Sequence, residues 1–185
     1  MQFFDNLKNY LDPSQTIIVR SSVFPHTCAM MMRSLGGDTD KWKLSYCPER
    51  IVQGYAMKEL PELPQIVSGT SQEAIDSASE LFLNVSPEVV HTSIEEAEVI
   101  KLMANSWRYI QFAAANQFYM ICEQNGLDYE KIRQAMRQGY PRAQTVAGAG
   151  FAAGPCLLKD TMQLASYSGN NFSLGAAAMN INEGL

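Results

Sequence analysis

A cysteine, a lysine and an aspartate fall within one helical turn of each other in Gly154-Pro155-Cys156-Leu157-Leu158-Lys159-Asp160. A thiol becomes a strong nucleophile where a cation or a helix N-terminus favours its thiolate. The residues after Cys156 read as a helix start, and Lys159 is in reach. A lone cysteine is more often a small buried hydrophobe. That plainer reading suits Cys28 and Cys122, which lie in helical, apolar stretches. It suits Cys156 less well, so Cys156 is the candidate nucleophile.

Two further groups could serve it. Lys101 and Asn105 are four apart and share a helix face, with Leu102, Met103, Ala104 and Trp107 around them. A lysine usually faces solvent, but on so apolar a segment the pair suggests a pocket where a lysine moves protons or holds an oxyanion. Glu49 follows Pro48 just beyond a short strand, and ligands of α/β folds bind at strand C-termini. An exposed loop acid is an equally good reading of Glu49 from composition alone. The segment Gly148-Ala149-Gly150-Phe151-Ala152-Ala153-Gly154 has G-x-G-x-x-x-G spacing, one residue off the dinucleotide fingerprint, and no good strand precedes it. It reads as a small-residue loop.

Several elements must position these groups. Residues 3–11 read as a helix, 16–19, 43–46 and 65–68 as short strands, and 27–35 as a helix. This is an α/β pattern too short for a whole doubly wound sheet, and it resembles the last strands of one. Ser71 is a plausible N-cap for a helix to Leu83. Ser93 and Glu96 have capping-box spacing, and a pattern without Gly or Pro then runs to Asn125-Gly126. That is roughly 30 residues or about 45 Å of helix, a length typical of a spine or an oligomer interface. Ala104, Ala113, Ala114 and Ala115 permit close helix approach. Asp128 caps a helix to Arg137, residues 138–157 read as loop, and helices are expected near 160–168 and 173–182.

Bulk properties exclude some classes. With 46% hydrophobic and 18% charged residues, the chain can bury a core. A net charge of -5 with no basic block argues against a nucleic-acid or anionic-membrane partner. No apolar run spans a bilayer and no signal-peptide pattern opens the chain, so a cytoplasmic protein is expected. With only His26 and His91 and no C-x-x-C pair, no metal site is expected.

Ser21-Ser22-Val23, Cys47-Pro48-Glu49-Arg50-Ile51-Val52-Gln53-Gly54, Glu98-Val99-Ile100-Lys101-Leu102-Met103-Ala104-Asn105 and Gly154 to Asp160 occur in that order, and Ile181-Asn182-Glu183 follows. Together they resemble the UDP-glucose/GDP-mannose dehydrogenase family over nearly the whole chain. The resemblance implies a mixed, mostly helical α/β fold. Residues 1–90 would be the tail end of a Rossmann-type NAD domain. Residues 91–185 would be a helical central dimerisation domain built on one long helix. The family's cofactor fingerprint would precede residue 1 and its UDP-binding third domain would follow residue 185, so both are expected to be absent.

The implied activity is NAD-dependent oxidation of a UDP-sugar C6 alcohol to a uronate. Cys156 would attack the C6 aldehyde, hydride transfer would make a thioester, and water would release the acid. Lys101 would be acid/base or oxyanion stabiliser, with Asn105 beside it. Asp160 would place the water or the lysine, and Glu49 would assist acid/base steps and thioester hydrolysis. Glu49, Lys101 and Asn105 would also contact substrate. Ser22 and Lys159 would lie near the cofactor, and Arg142 would contact the sugar nucleotide. A homodimer through residues 93–125 is implied. Pro48-Glu49-Arg50-Ile51 looks more like the N-acetylhexosamine branch than the glucose branch. Ala152-Ala153-Gly154-Pro155 replaces the usual Gly-Gly stretch, implying a stiffer loop. Two other readings compete. One is a catalytically inactive dimerising helical module, because the cofactor fingerprint is missing. The other, a β-hydroxyacid dehydrogenase, has no use for Cys156.

Overall fold

A computed structural model describes residues 2–52, 54–152 and 154–184. Gln53 and Ala153 of the motifs above lie outside the described residues. The chain divides into two compact units, Met1–Lys101 and Leu102–Leu185.

The first unit is an α/β layer. Strands β1 (Thr16–Val19), β2 (Lys43–Tyr46), β3 (Gln65–Gly69) and β4 (Val89–His91) form one sheet in that order. The β1–β2 and β3–β4 pairs are parallel, crossed over by α2 (Thr27–Ser34) and α4 (Gln72–Leu83). The β2–β3 pair is antiparallel, so a wholly parallel sheet, as in most doubly wound folds, is not what forms. The β2–β3 link, which includes the short helix α3 (Ala56–Glu59), returns the chain without crossing over the sheet.

Alternation along the strands fills both faces. Ile17, Val19, Leu44, Tyr46 and Ile66 join Cys28, Met32 and Trp42 on one side. Ile18 and Val67 join Ala78 and Phe82 on the other. Strand β4 and helix α3 have no clear sequence signal, because both are only three or four residues long. The first helix is also shorter than expected: α1 is Gln2–Leu7, followed by a 3₁₀ turn. Phe4 is buried there while Phe3 is exposed, so the two do not share a side.

Helix α5 (Ile94–Gln124) has 31 residues without interruption. Its start is a capping box: Ser93 Oγ accepts from the Glu96 amide at 3.2 Å, and Glu96 accepts from the Ser93 amide at 3.0 Å. Ile94, Ala97 and Ile100 pack into the first unit's core. Glu98, fully buried, accepts hydrogen bonds from the backbone N–H of His26 (2.6 Å) and Cys28 (2.9 Å). These amides open α2, whose first N–H groups have no intrahelical partner. His26 takes a left-handed conformation there, with φ of 73°.

In the second unit, α7 (Pro155–Tyr167) and α8 (Ser173–Asn182) belong to one cluster with Tyr109 and Ala113 of α5, through Leu157 and Ala178. The small residues allow that approach. Helix α7 starts five residues before the expected position 160, because Pro155 is suited to the first helical position and Gly154 supplies a φ of 89°. Helix α6 (Tyr129–Arg137) is capped by Asp128, which accepts from the Lys131 amide.

Replacing Glu98 by Ala leaves the buried Cys28 amide and the part-buried His26 amide without an acceptor. Glu98→Ala is expected to lower unfolding stability by about 3 kcal/mol, and Glu98→Gln by less because an oxygen acceptor remains. Urea unfolding of the chain measures both, and equal losses would show that the acceptor atoms are not what matters.

Candidate active site

The expected site residues fall into two groups, one in each unit. In the second unit, Cys156 occupies the first turn of α7 and is exposed, whereas Cys28, Cys47 and Cys122 are buried. Burial pushes the Cys47 thiol up to about 11. Burial and the Glu98 carboxylate push Cys28 up as well, so both remain neutral thiols.

Asp160 stands one helical turn beyond Cys156 and is fully buried. Asn105, only 7% exposed, donates to Asp160 Oδ2 at 2.5 Å. The half-exposed Lys159 places its ammonium 3.2 Å from Asp160 Oδ1. A buried carboxylate needs such compensation, since desolvation of an unpaired charge is costly. The fold therefore joins three sequence-selected residues, Asn105, Lys159 and Asp160, into one polar cluster. Arg142 is engaged locally instead. It donates to the Tyr140 hydroxyl at 2.8 Å, with its guanidinium 4.7 Å from that ring's centroid.

The loop before Cys156 is tied down by a residue that sequence reasoning passed over. Asn116, fully buried on α5, accepts from the Gly150 amide at 2.8 Å and donates to Asn182 Oδ1 at 2.9 Å. Asn182 donates to the Tyr109 carbonyl at 3.1 Å, and the Tyr109 hydroxyl donates to Glu183 at 2.8 Å. Burial and Glu183 push that phenol up to about 12. The available signal was periodicity: Leu102, Asn105, Tyr109, Ala113 and Asn116 mark one buried stripe.

In the first unit, Glu49 lies beyond the carboxyl end of β2. Its Oε1 accepts from the Ile51 amide at 2.9 Å, and its Oε2 accepts from the Arg20 guanidinium. Ser22 is half-buried in the loop after β1, also at a strand's carboxyl end. Lys101 is half-buried, one turn before Asn105 on α5.

Family models match stretches of both units. Residues 1–86 match the model of the UDP-glucose/GDP-mannose dehydrogenase family NAD binding domain, and residues 95–184 match that of its central domain. The chain belongs to this family. UDP-N-acetyl-D-mannosamine dehydrogenase of Methanocaldococcus jannaschii is 28% identical over 98% of the chain and 42% of its own length. The same-named enzyme of Pyrococcus horikoshii is 31% identical over 94% of the chain and 43% of its own length. A solved Pyrococcus horikoshii structure of that name superposes with a TM-score of 0.90 at 27% identity, covering 98% of this chain and 45% of that one. The Staphylococcus aureus UDP-N-acetyl-mannosamine dehydrogenase superposes at 0.82 with 25% identity, over 99% of this chain and 44% of that one. The chain thus spans less than half the length of these relatives.

NAD is the cofactor named by the family's first domain. The residues present fit part of it. Ser22 offers a hydroxyl at the carboxyl end of β1, where α/β sheets take ligands. No glycines with G-x-G-x-x-G spacing occur in the 185 residues, so nothing here has the loop that cradles a pyrophosphate. Among the described residues, no group of His, Cys, Asp and Glu is arranged to hold a metal, and no helix is long and apolar enough to cross a membrane.

Two outcomes test this geometry. Iodoacetamide should label Cys156 first in the native chain, read by peptide mass spectrometry, because the other thiols are buried. Asn116→Ala should cost about 2 kcal/mol in urea unfolding. Its Gly150 amide should also exchange with deuterium faster than in the parent chain.

Proposed function

We propose that the chain is the nucleophile-bearing portion of an NAD-dependent UDP-sugar 6-dehydrogenase that makes a uronate. The observation that carries this is the buried Asn105–Asp160 pair, joined by the half-exposed Lys159, one turn from the exposed Cys156. The substrate in the relatives' names, with the Pro48-Glu49-Arg50-Ile51 motif, favours a UDP-N-acetylhexosamine, UDP-N-acetylmannosamine first.

Cys156 Sγ adds to the C6 aldehyde carbon, and the carbonyl oxygen becomes the hydroxyl of a thiohemiacetal. NAD, when bound, supplies the hydride acceptor for both oxidations. Loss of hydride from C6 leaves a thioester, and attack by water breaks the C–S bond to release the uronate and the thiolate. Lys101 stabilises the oxyanion and shuttles protons, and Asn105 assists it. Asp160 positions water or lysine, and Glu49 serves acid/base steps. Glu49, Lys101, Asn105 and Arg142 contact substrate, and Ser22 and Lys159 lie near the cofactor. Residues 1–90 belong to the NAD domain and 91–185 to the central helical domain in this reading.

We also infer a homodimer through the helix of residues 93–125. Met103, Trp107, Phe118 and Ile121 are exposed along one side of α5, away from its buried stripe. An apolar face of this kind usually marks an interaction surface. A second reading, an inactive dimerising module, is favoured by the missing glycine spacing.

The assay is NADH formation from UDP-N-acetylmannosamine. The chain is tested alone and grafted between the segments that flank the matched region in the Pyrococcus horikoshii relative. The graft is expected to turn over, and Cys156→Ala to lose at least about 1,000-fold, as for a nucleophile. Full turnover in Cys156→Ala removes the mechanism. Tight calorimetric binding of NAD by the chain alone removes the inactive-module reading. Light scattering should give twice the chain mass, and Trp107→Glu should give a monomer. A monomeric parent chain removes the dimer.

A further inference from the structure

Arg20 follows the last residue of β1 and gathers the ends of three strands. Its guanidinium donates to Glu49 Oε2, beyond β2, and to Gln65 Oε1 at the start of β3, at 3.3 Å. The same group lies 4.6 Å from the centre of the Phe82 ring on α4. Gln65 and Phe82 are both buried, so two of the three partners are held by the core. The Gln65 amide is oriented in turn by donating to the Leu63 carbonyl at 3.3 Å. The backbone adds another link: the Glu49 amide donates to the Arg20 carbonyl at 3.2 Å, extending the β1–β2 pairing past the strands.

Glu49 is thus held at both oxygens, by the Ile51 amide and by Arg20. Both Arg20 bonds leave one nitrogen, Nη2, and a planar guanidinium suits this better than an ammonium because the two N–H groups on that nitrogen point at fixed angles. The other charged neighbours are committed elsewhere. Arg50 donates to the Pro64 carbonyl, and Glu59 accepts from the Val52 amide at 2.8 Å. Cys47 is a buried, neutral thiol.

We propose that Arg20 is a positioning residue for Glu49, holding its carboxylate in one orientation so that Glu49 enters its acid/base step as the proton acceptor. This rests on the acid/base role given to Glu49 above. In that step the proton passes from an O–H donor to a Glu49 carboxylate oxygen. Sequence reasoning left Glu49 open between acid and base, and the Arg20 contact decides for base.

The ionisation of Glu49 agrees. Partial burial pushes its carboxyl up, but the Ile51 amide and the Arg20 guanidinium outweigh this and hold it below the ordinary glutamate range. For a depressed carboxyl the sign is fixed. The base form, and the stability it brings, are fully present above the ordinary value and are lost as pH falls through the folded value.

The test is a carbon-detected NMR titration of Glu49 in the chain, assigned with Glu49→Gln. In Arg20→Gln the midpoint should rise toward the ordinary glutamate range, and Arg20→Lys should restore part of the depression. Should Arg20→Gln not fold, Arg20→Lys alone decides, because it keeps the charge and loses the planar, fixed-angle N–H pair. Its midpoint should then lie above that of the parent chain. An unmoved midpoint in a folded variant overturns the proposal. In the active graft, the acid limb of kcat/KM should move to higher pH in Arg20→Gln. A moved midpoint with an unmoved acid limb leaves Arg20 as the holder of Glu49 and overturns Glu49 as the reaction's base.

Discussion

Helix α5 carries polar side chains on the stripe it buries, and the local structure follows from satisfying them. A buried polar group without a partner costs more than a satisfied one contributes. Glu98 meets this constraint with the first amides of α2. Asn105 meets it with Asp160, and Asn116 with Gly150 and Asn182. Some of these partners lie in irregular backbone, the loop before α2 and the glycine-rich connection before α7, and others on helices that the core also holds. The helix supplies regular spacing, and the buried polar groups convert it into fixed positions for irregular backbone.

The same logic sorts the cysteines. Four thiols are present, and chemistry needs one that water and substrate can reach. Cys28 and Cys47 are packed where burial keeps them protonated, while Cys156 is left in the open first turn of α7. Pro155 and Gly154 begin that helix early, which moves Cys156 from the end of a loop into the helix itself. Cys156 and Asp160 are four apart and share a helix face, so their different exposure follows position along α7: Cys156 lies in the open first turn and Asp160 one turn deeper.

The first unit shows how the surroundings of a carboxylate set its charge. Glu49 by type could donate or accept a proton. Its neighbours bias its ionisation, because a guanidinium and an amide N–H both favour the charged form. Arg20 reaches it only because β1 and β2 are parallel neighbours with their carboxyl ends together. Gln65 joins them because β3 runs antiparallel to β2 and so begins at that end of the sheet.

The amino-acid sequence by itself determined what local rules govern. Strands β1, β2 and β3, the capping box at Ser93 and Glu96, and the stop at Gly126 (φ of 67°) are legible from alternation, cap residues and turn glycines. The ordered motifs around Glu49, Lys101 and Cys156 were legible too, and with them the family. Tertiary structure alone decided which polar groups meet. Asn105 and Asp160 are 55 positions apart, Arg20 and Glu49 are 29 apart, and Glu98 lies 70 positions beyond Cys28. No periodicity encodes such pairs, because they depend on how strands and helices pack and not on the conformation of either segment. The antiparallel β2–β3 pairing and the three-residue β4 were hidden for the same reason. A short strand is defined by its neighbour, and its own residues carry too little pattern to announce it.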